Sequence, residues 1–183
     1  MELRPTAISG LTIIESNRTA DARGSFGRLY CDRELAPILQ GESIVQINHS
    51  VTRRVGAIRG LHFQHPPAAE IKIVRCLRGE VFDVAVDLRA GSPSFLAWFG
   101  LVLGGDADRA IAIPAGFAHG FQVLQPDSEL LYLHSAHYSP EHEGGLRYDE
   151  PKIGIEWPLD VTELSGRDNS HALLAGDFSG ISL

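Results

Sequence analysis

The sequence predicts an all-β domain, a sandwich or barrel of many short strands, and three features point that way. Turn chemistry recurs at short intervals, in Arg78-Gly79, Gly91-Ser92-Pro93, Gly104-Gly105-Asp106 and Pro126-Asp127. The segments between the turns alternate. Phe82, Val84, Val86 and Leu88 share one face of an extended chain and Asp83 and Asp87 the other, the pattern of a strand with one wet side. Helical spacing is confined to residues 34–39 and the neighbourhood of Leu173. Many short strands with few helices read as a sandwich or barrel.

Taken in order, the β-like stretches are 43–51, 70–77, the run around Phe82–Leu88, 95–103, 109–114, 120–124 and 129–138. No repeat or linker divides them. A chain of 183 residues has room for one sizeable core, so a single domain over 1–183 is expected. After Asp149 the alternation fades, and Pro151, Trp157 and Pro158 interrupt the chain. This tail is expected to wrap the barrel and lend single residues to a site.

Composition narrows the function. Hydrophobic residues at 44% and charged residues at 21% describe a globular protein rather than a disordered one. A net charge of −7 excludes a general affinity for nucleic-acid backbones, though a few placed arginines can still hold a diphosphate. Cys31 and Cys76 lack Cys-x-x-Cys spacing. Two free thiols in a reducing cytosol are expected, with one disulfide as the alternative. Met1-Glu2-Leu3-Arg4-Pro5 is no signal peptide and no apolar run approaches a membrane span, so a cytoplasmic protein without a membrane partner is expected.

Two motifs carry chemistry. Pro114-Ala115-Gly116-Phe117-Ala118-His119-Gly120-Phe121 resembles the later cupin motif, and Arg59-Gly60-Leu61-His62-Phe63-Gln64-His65 with Glu70, Lys72 and Gly79 resembles the earlier one. The resemblance implies a cupin-type jelly-roll β-barrel with short helices and a C-terminal wrapping segment. Metal-binding cupins carry His-x-His in the earlier motif, because residues two apart on a strand face one side. Here the pair is His62 and Gln64, and glutamine is a poor transition-metal ligand. His65 falls on the opposite face. A reaction without metal or other cofactor is therefore expected; the alternative ligand set would be His62, Glu70 and His119.

A closer resemblance extends from Asp21 to Asp168. Its blocks are Asp21–Phe26, Gln46–Ser50, Arg59–His62, Ile71-Lys72, Val81–Arg89, Ser92-Pro93, Pro114–Phe121, Tyr132, Tyr138–Glu141, Glu143 and Leu164–Asp168. In this order they resemble the dTDP-4-dehydrorhamnose 3,5-epimerase family. The resemblance implies inversion of carbons 3 and 5 of dTDP-4-dehydro-6-deoxy-D-glucose. A proton leaves a carbon made acidic by the neighbouring ketone, and one returns to the other face. Such chemistry needs a base, a stabiliser for the enolate oxygen and an acid across the ring.

The resemblance assigns these roles residue by residue. His62 matches the base and Asp168 its carboxylate partner. Lys72 stands near the developing oxyanion; it lies between Ile71 and Ile73, so its side chain is expected to point into the barrel. Tyr132 matches the proton donor and Tyr138 the residue stacked on the nucleotide base, both on one face of the stretch 129–138 with His134. Arg23, Phe26, Arg59, Gln46, Asn48, His119, Glu143 and Arg167 match substrate contacts. Two positions depart: the family has Lys where this chain has Arg167, and Glu where it has Arg28, a charge reversal at a substrate-contact position. The family also implies a homodimer, with Arg23 and Phe26 reaching a neighbouring site. Alternatives are an epimerase of one carbon, a metal-dependent cupin enzyme, or a sugar-binding cupin without activity.

Overall fold

A computed structural model describes residues 1–183. In chain order the strands are β1 (Glu2–Pro5), β2 (Thr12–Glu15), β3 (Arg18–Asp21) and β4 (Gly24–Gly27), followed by helix α1 (Asp32–Leu39). Then come β5 (Gln46–Thr52), β6 (Ile58–Gln64), β7 (Lys72–Arg78), β8 (Glu80–Asp87), β9 (Trp98–Gly104), β10 (Arg109–Ile113), β11 (Phe117–Val123) and β12 (Ser128–His134). The short β13 (Glu143–Gly145) and helix α2 (Gly166–Ser170) complete the set. A six-stranded sheet, β1-β2-β10-β7-β12-β5, faces a five-stranded sheet, β13-β6-β11-β8-β9, and every pairing within both is antiparallel. No helix is long and apolar enough to cross a membrane.

Between the sheets lies a core to which the six-stranded sheet gives Val74, Cys76, Ile111, Ile113 and Leu130. The five-stranded sheet gives Val81, Ala85, Leu103, Phe117, Phe121 and Val123. The outer faces are covered too. Leu35 and Leu39, one helical turn apart on α1, pack with Ile73, Ala110, Ala112 and Leu133 on the back of the six-stranded sheet. The tail wraps the back of the other sheet, where Leu146, Ile153 and Ile181 meet Phe63, Val84, Val86, Leu88 and Ala118. The wrapping segment expected after Asp149 is thus present.

This double cover corrects the reading of β8. Asp83 and Asp87 were placed on a wet face, yet both side chains are fully buried. The apolar row of β8 packs outward under the tail, which turns Asp83 inward. At the strand end Asp87 is tied down by Arg89, Ser92 (2.6 Å) and Ser94 (2.7 Å). Two further expectations fail. The stretch 129–138 ends as a strand at His134, where Ser135 N–H turns to the Ile71 carbonyl. The chain around Leu173 is irregular, because the only nearby helix, capped by Ser165, ends at Ser170.

Candidate active site

On β6, Leu61 and Phe63 point outward beneath the tail, so His62 and Gln64 point inward, as the two-residue period requires. The pairing of β6 with β11 slips a residue: His119 faces His62, but Phe121 faces Arg59. This bulge lets Arg59 and His62, three apart, line one cavity. It needs Gly60, whose φ is +124° and whose missing Cβ would sit 2.5 Å from the Gly120 Cα. The cavity measures about 550 Å³ and takes Gln46, Asn48, Lys72, Tyr132 and His134 from the six-stranded sheet. From the other side come Arg59, His62, His119 and Glu143, with Tyr138 and Arg167 from loops and tail.

Asp168 reaches His62 from the tail, 106 residues away, with Oδ1 2.8 Å from Nε2. Its other oxygen accepts from the Gly60 N–H at 3.2 Å, and its own N–H donates to the Ser165 cap at 3.0 Å. Burial pushes the Asp168 carboxyl up, but the hydrogen bonds from His62 and Gly60 and the charge of His62 outweigh it and hold it at about 2. A carboxylate at that distance fixes the imidazole proton on Nε2 and leaves Nδ1 as the lone-pair nitrogen. Arg167 Nη2 lies 3.1 Å from Nε2 as well, but a protonated nitrogen cannot accept from it. The guanidinium instead serves Glu143, at 2.9 Å, as counter-ion.

Across the cavity, Tyr132 meets the Ser50 hydroxyl at 3.1 Å. Burial drives the phenol up to about 12, against the hydrogen bond from Ser50, so it stays a neutral donor. Its ring stands edge-on to His119, at 6.2 Å, and stacks on His134 at 6.1 Å. His119 is buried, with Nε2 2.9 Å from Asp83 Oδ2. Lys72 points inward as expected, 3.3 Å from Glu70. Glu70 also holds His134 Nδ1 at 2.7 Å, and His134 Nε2 sits 3.3 Å from Asn48 Nδ2. Burial raises the Glu70 carboxyl, but the His134 hydrogen bond and the Lys72 charge bring it below its ordinary value. With Glu70 bound to Lys72 and His134, and His119 to Asp83, the set His62, Glu70 and His119 does not gather. The one cluster of three close donors is His62, Asp168 and His171.

The remaining expectations divide. Tyr138 lines the rim beyond the end of β12, its N–H on Gln46 Oε1 at 3.1 Å and its hydroxyl on Glu143 at 2.9 Å. Arg23, Phe26 and Arg28 do not reach the cavity of their own chain. Strands β3 and β4 pair only with each other, as a projecting hairpin. Phe26 is 78% exposed there, and the largely exposed Arg23 pairs with Asp21. Arg28 is held by Glu34 on α1. Sequence reasoning passed over Ser50, Asp83 and His171 and gave His134 no role. Only inward parity on β5, β8 and β12 could have marked three of these; nothing local marks His171.

An imidazole tied to a buried carboxylate on one sheet, with a neutral phenol and an inward lysine on the facing sheet, inside a cupin-like jelly roll, fits a proton-transfer enzyme. Residues 5–176 match the dTDP-4-dehydrorhamnose 3,5-epimerase family, and the chain belongs to that family. A dTDP-4-dehydrorhamnose 3,5-epimerase of Salmonella typhimurium is 42% identical over 171 residues, 92% of this chain and 93% of the relative. A dTDP-4-dehydrorhamnose 3-epimerase of Streptomyces niveus is 40% identical over 96% of this chain and 84% of the relative. The crystal structure of dTDP-6-deoxy-D-glucose-3,5-epimerase from Legionella pneumophila, in complex with dTDP-4-keto-L-rhamnose, superposes with a TM-score of 0.89 at 39% identity. That match covers 94% of this chain and 92% of the other.

Proposed function

We propose that this chain inverts carbons 3 and 5 of dTDP-4-dehydro-6-deoxy-D-glucose, giving dTDP-4-dehydro-L-rhamnose for nucleotide-deoxysugar synthesis. The observation that carries the reading is the 2.8 Å contact of His62 with Asp168 on the wall of the cavity that Tyr132 also lines. His62 Nδ1 takes the proton from the carbon beside the ketone. The C–H electron pair moves into the ring bond, and the carbonyl pair moves onto oxygen as an enolate. Asp168 stabilises the imidazolium formed. Lys72 supplies positive charge for the enolate oxygen, and His119, oriented by Asp83, gives a further polar contact to the sugar. The electrons then return, and carbon takes the Tyr132 proton on the opposite face. Solvent reprotonates the phenolate and relieves the imidazolium of its proton.

The rim fits the rest of the ligand. Arg59 and Arg167 suit the diphosphate as guanidinium forks, Tyr138 offers a ring for the base, and Gln46, Asn48 and Glu143 supply polar contacts. The projecting hairpin supports a homodimer in which Arg23 and Phe26 enter the neighbour's cavity; Arg28, bound to Glu34, takes no part in this proposal. Free Cys31 and Cys76 fit a cytoplasmic setting. Proton NMR of the substrate turning over in deuterated water tests the reading. Deuterium at both carbons is expected. Label at one carbon only would favour a single-carbon epimerase, the activity named for the Streptomyces niveus relative, and no label would refute the proposal.

A further inference from the structure

We propose that His62, Asp168 and His171 form an inhibitory site for a divalent transition ion of the Zn²⁺ class, which removes the catalytic base when it binds. The inference rests on His62 being that base and adds a means of regulating it.

One nitrogen of each imidazole and one Asp168 oxygen all lie within 4.8 Å of one another. Two imidazoles and a carboxylate are a common donor set for zinc, at bond lengths of about 2.0–2.2 Å, with the fourth position left to water. Bonds of that length around a tetrahedral ion separate the donors by roughly 3.4 Å, so modest side-chain rotations close the site. His62 Nε2 and Asp168 Oδ1, already 2.8 Å apart, need only to spread slightly.

His171 has no other evident use. Its Nε2 is buried and makes no hydrogen bond. The ring sits against Gly145, where a Cβ would stand 2.1 Å from that nitrogen. Gly145 is also the strand position that pairs with His62. The absent side chain on β13 therefore brings a second imidazole to the catalytic one, with ring centres 6.2 Å apart. Arg167, which Glu143 holds at 2.9 Å, brings its Nη2 to 3.1 Å from His62 Nε2, so the guanidinium and an ion would compete for this spot. Arg167 is half exposed, and a cleft of about 500 Å³ reaches His62, Arg167 and Asp168 from the side of Glu163 and Ser165.

The chemical consequence follows from the imidazole itself. A neutral ring carries one proton. An ion on Nε2 displaces that proton to Nδ1, so the nitrogen that would take the sugar proton has no lone pair to offer. Asp168 is diverted to the ion at the same time.

Two measurements on the full chain test the site. Co²⁺ titration reads binding directly, through the visible bands of the four-coordinate ion, and needs no assumption about substrate. Zn²⁺ titration of the deuterium-exchange assay reads inhibition. Wild type should bind one Co²⁺ per chain and lose activity with Zn²⁺, with recovery on EDTA. His171→Asn should keep its zinc-free activity and need roughly tenfold more ion, or beyond, in both titrations. Gly145→Ala, whose methyl group pushes the His171 ring away, should weaken Co²⁺ binding with all three donors still in the chain. Equal ion sensitivity of wild type and His171→Asn, or no Co²⁺ bands in wild type, would overturn the proposal. Failure of the epimerase assay alone would leave the Co²⁺ result standing.

Discussion

Replacing Asp168 by asparagine keeps the shape of the partner to His62 and removes its charge. The carboxyl, ordinarily near 3.8, is held at about 2 in the folded protein, a displacement worth about 2 kcal/mol. His62 supplies only part of that displacement, with Gly60 and Ser165 supplying the rest, so loss of the charge beside the imidazolium lowers kcat by up to about 30-fold. The amide adds a second penalty. Its oxygen is wanted by the Gly60 N–H at 3.2 Å, which turns its NH₂ toward His62 Nε2. The ring then carries its proton on Nδ1, and the base is in the wrong tautomer. The loss then approaches about 10⁴-fold, as in triads where the orienting aspartate is made neutral. Asp168 lies behind His62 and does not line the main cavity, so KM should stay close to wild type. Steady-state kinetics on the keto sugar reads both constants. A variant with unchanged kcat, or with its whole defect in KM, would refute the assignment of Asp168 as partner to the base.

Tyr132→Phe should leave proton removal, read as loss of label from a substrate deuterated at carbon 3 or 5, far less impaired than completed inversion, which should fall by about 10²–10⁴. Equal loss of both steps would remove Tyr132 as the acid. Arg59→Ala should raise KM with a much smaller change in kcat, by loss of charged hydrogen bonds worth about 1.5–3 kcal/mol each; an unchanged KM would take Arg59 out of the site. Stability should fall in acid. Burial raises the Asp87 carboxyl, but Arg89, Ser92 and Ser94 overcome this and hold it at about 2. Its folded value lies below its unfolded one, so its contribution of about 2 kcal/mol is present above pH 4 or so and is lost toward pH 2. Urea unfolding of wild type and Asp87→Asn should show a gap that narrows across this window, and a constant gap would contradict it.

The residues most legible in the sequence were those that a period of two fixes. Lys72 between two isoleucines and His62 two before Gln64 both face inward as read. The same period misled at Asp83 and Asp87, because alternation says that two faces differ, not which is dry. Here the tail covers the apolar face of β8 and the barrel encloses the polar one. The run from 129 to 138 looked continuous, but the turn after His134 depends on the Ile71 carbonyl, a partner no local pattern reveals. The pairs His62–Asp168 and His134–Glu70 join residues 106 and 64 apart. The first was legible only through family resemblance, and the second was not legible at all. Arg23 and Phe26 were expected to reach a neighbouring site, and the hairpin that carries them pairs with no strand of its own barrel, whereas Arg28 is held by Glu34, a partner no local pattern reveals.

The central claim is that one imidazole lifts the proton beside the ketone. Mass spectrometry of substrate held in deuterated water with wild type or His62→Ala asks this directly. Wild type should add deuterium to the recovered sugar, and the variant should leave it at the level seen without enzyme. Labelling by His62→Ala at the wild-type rate would show that another group removes the proton.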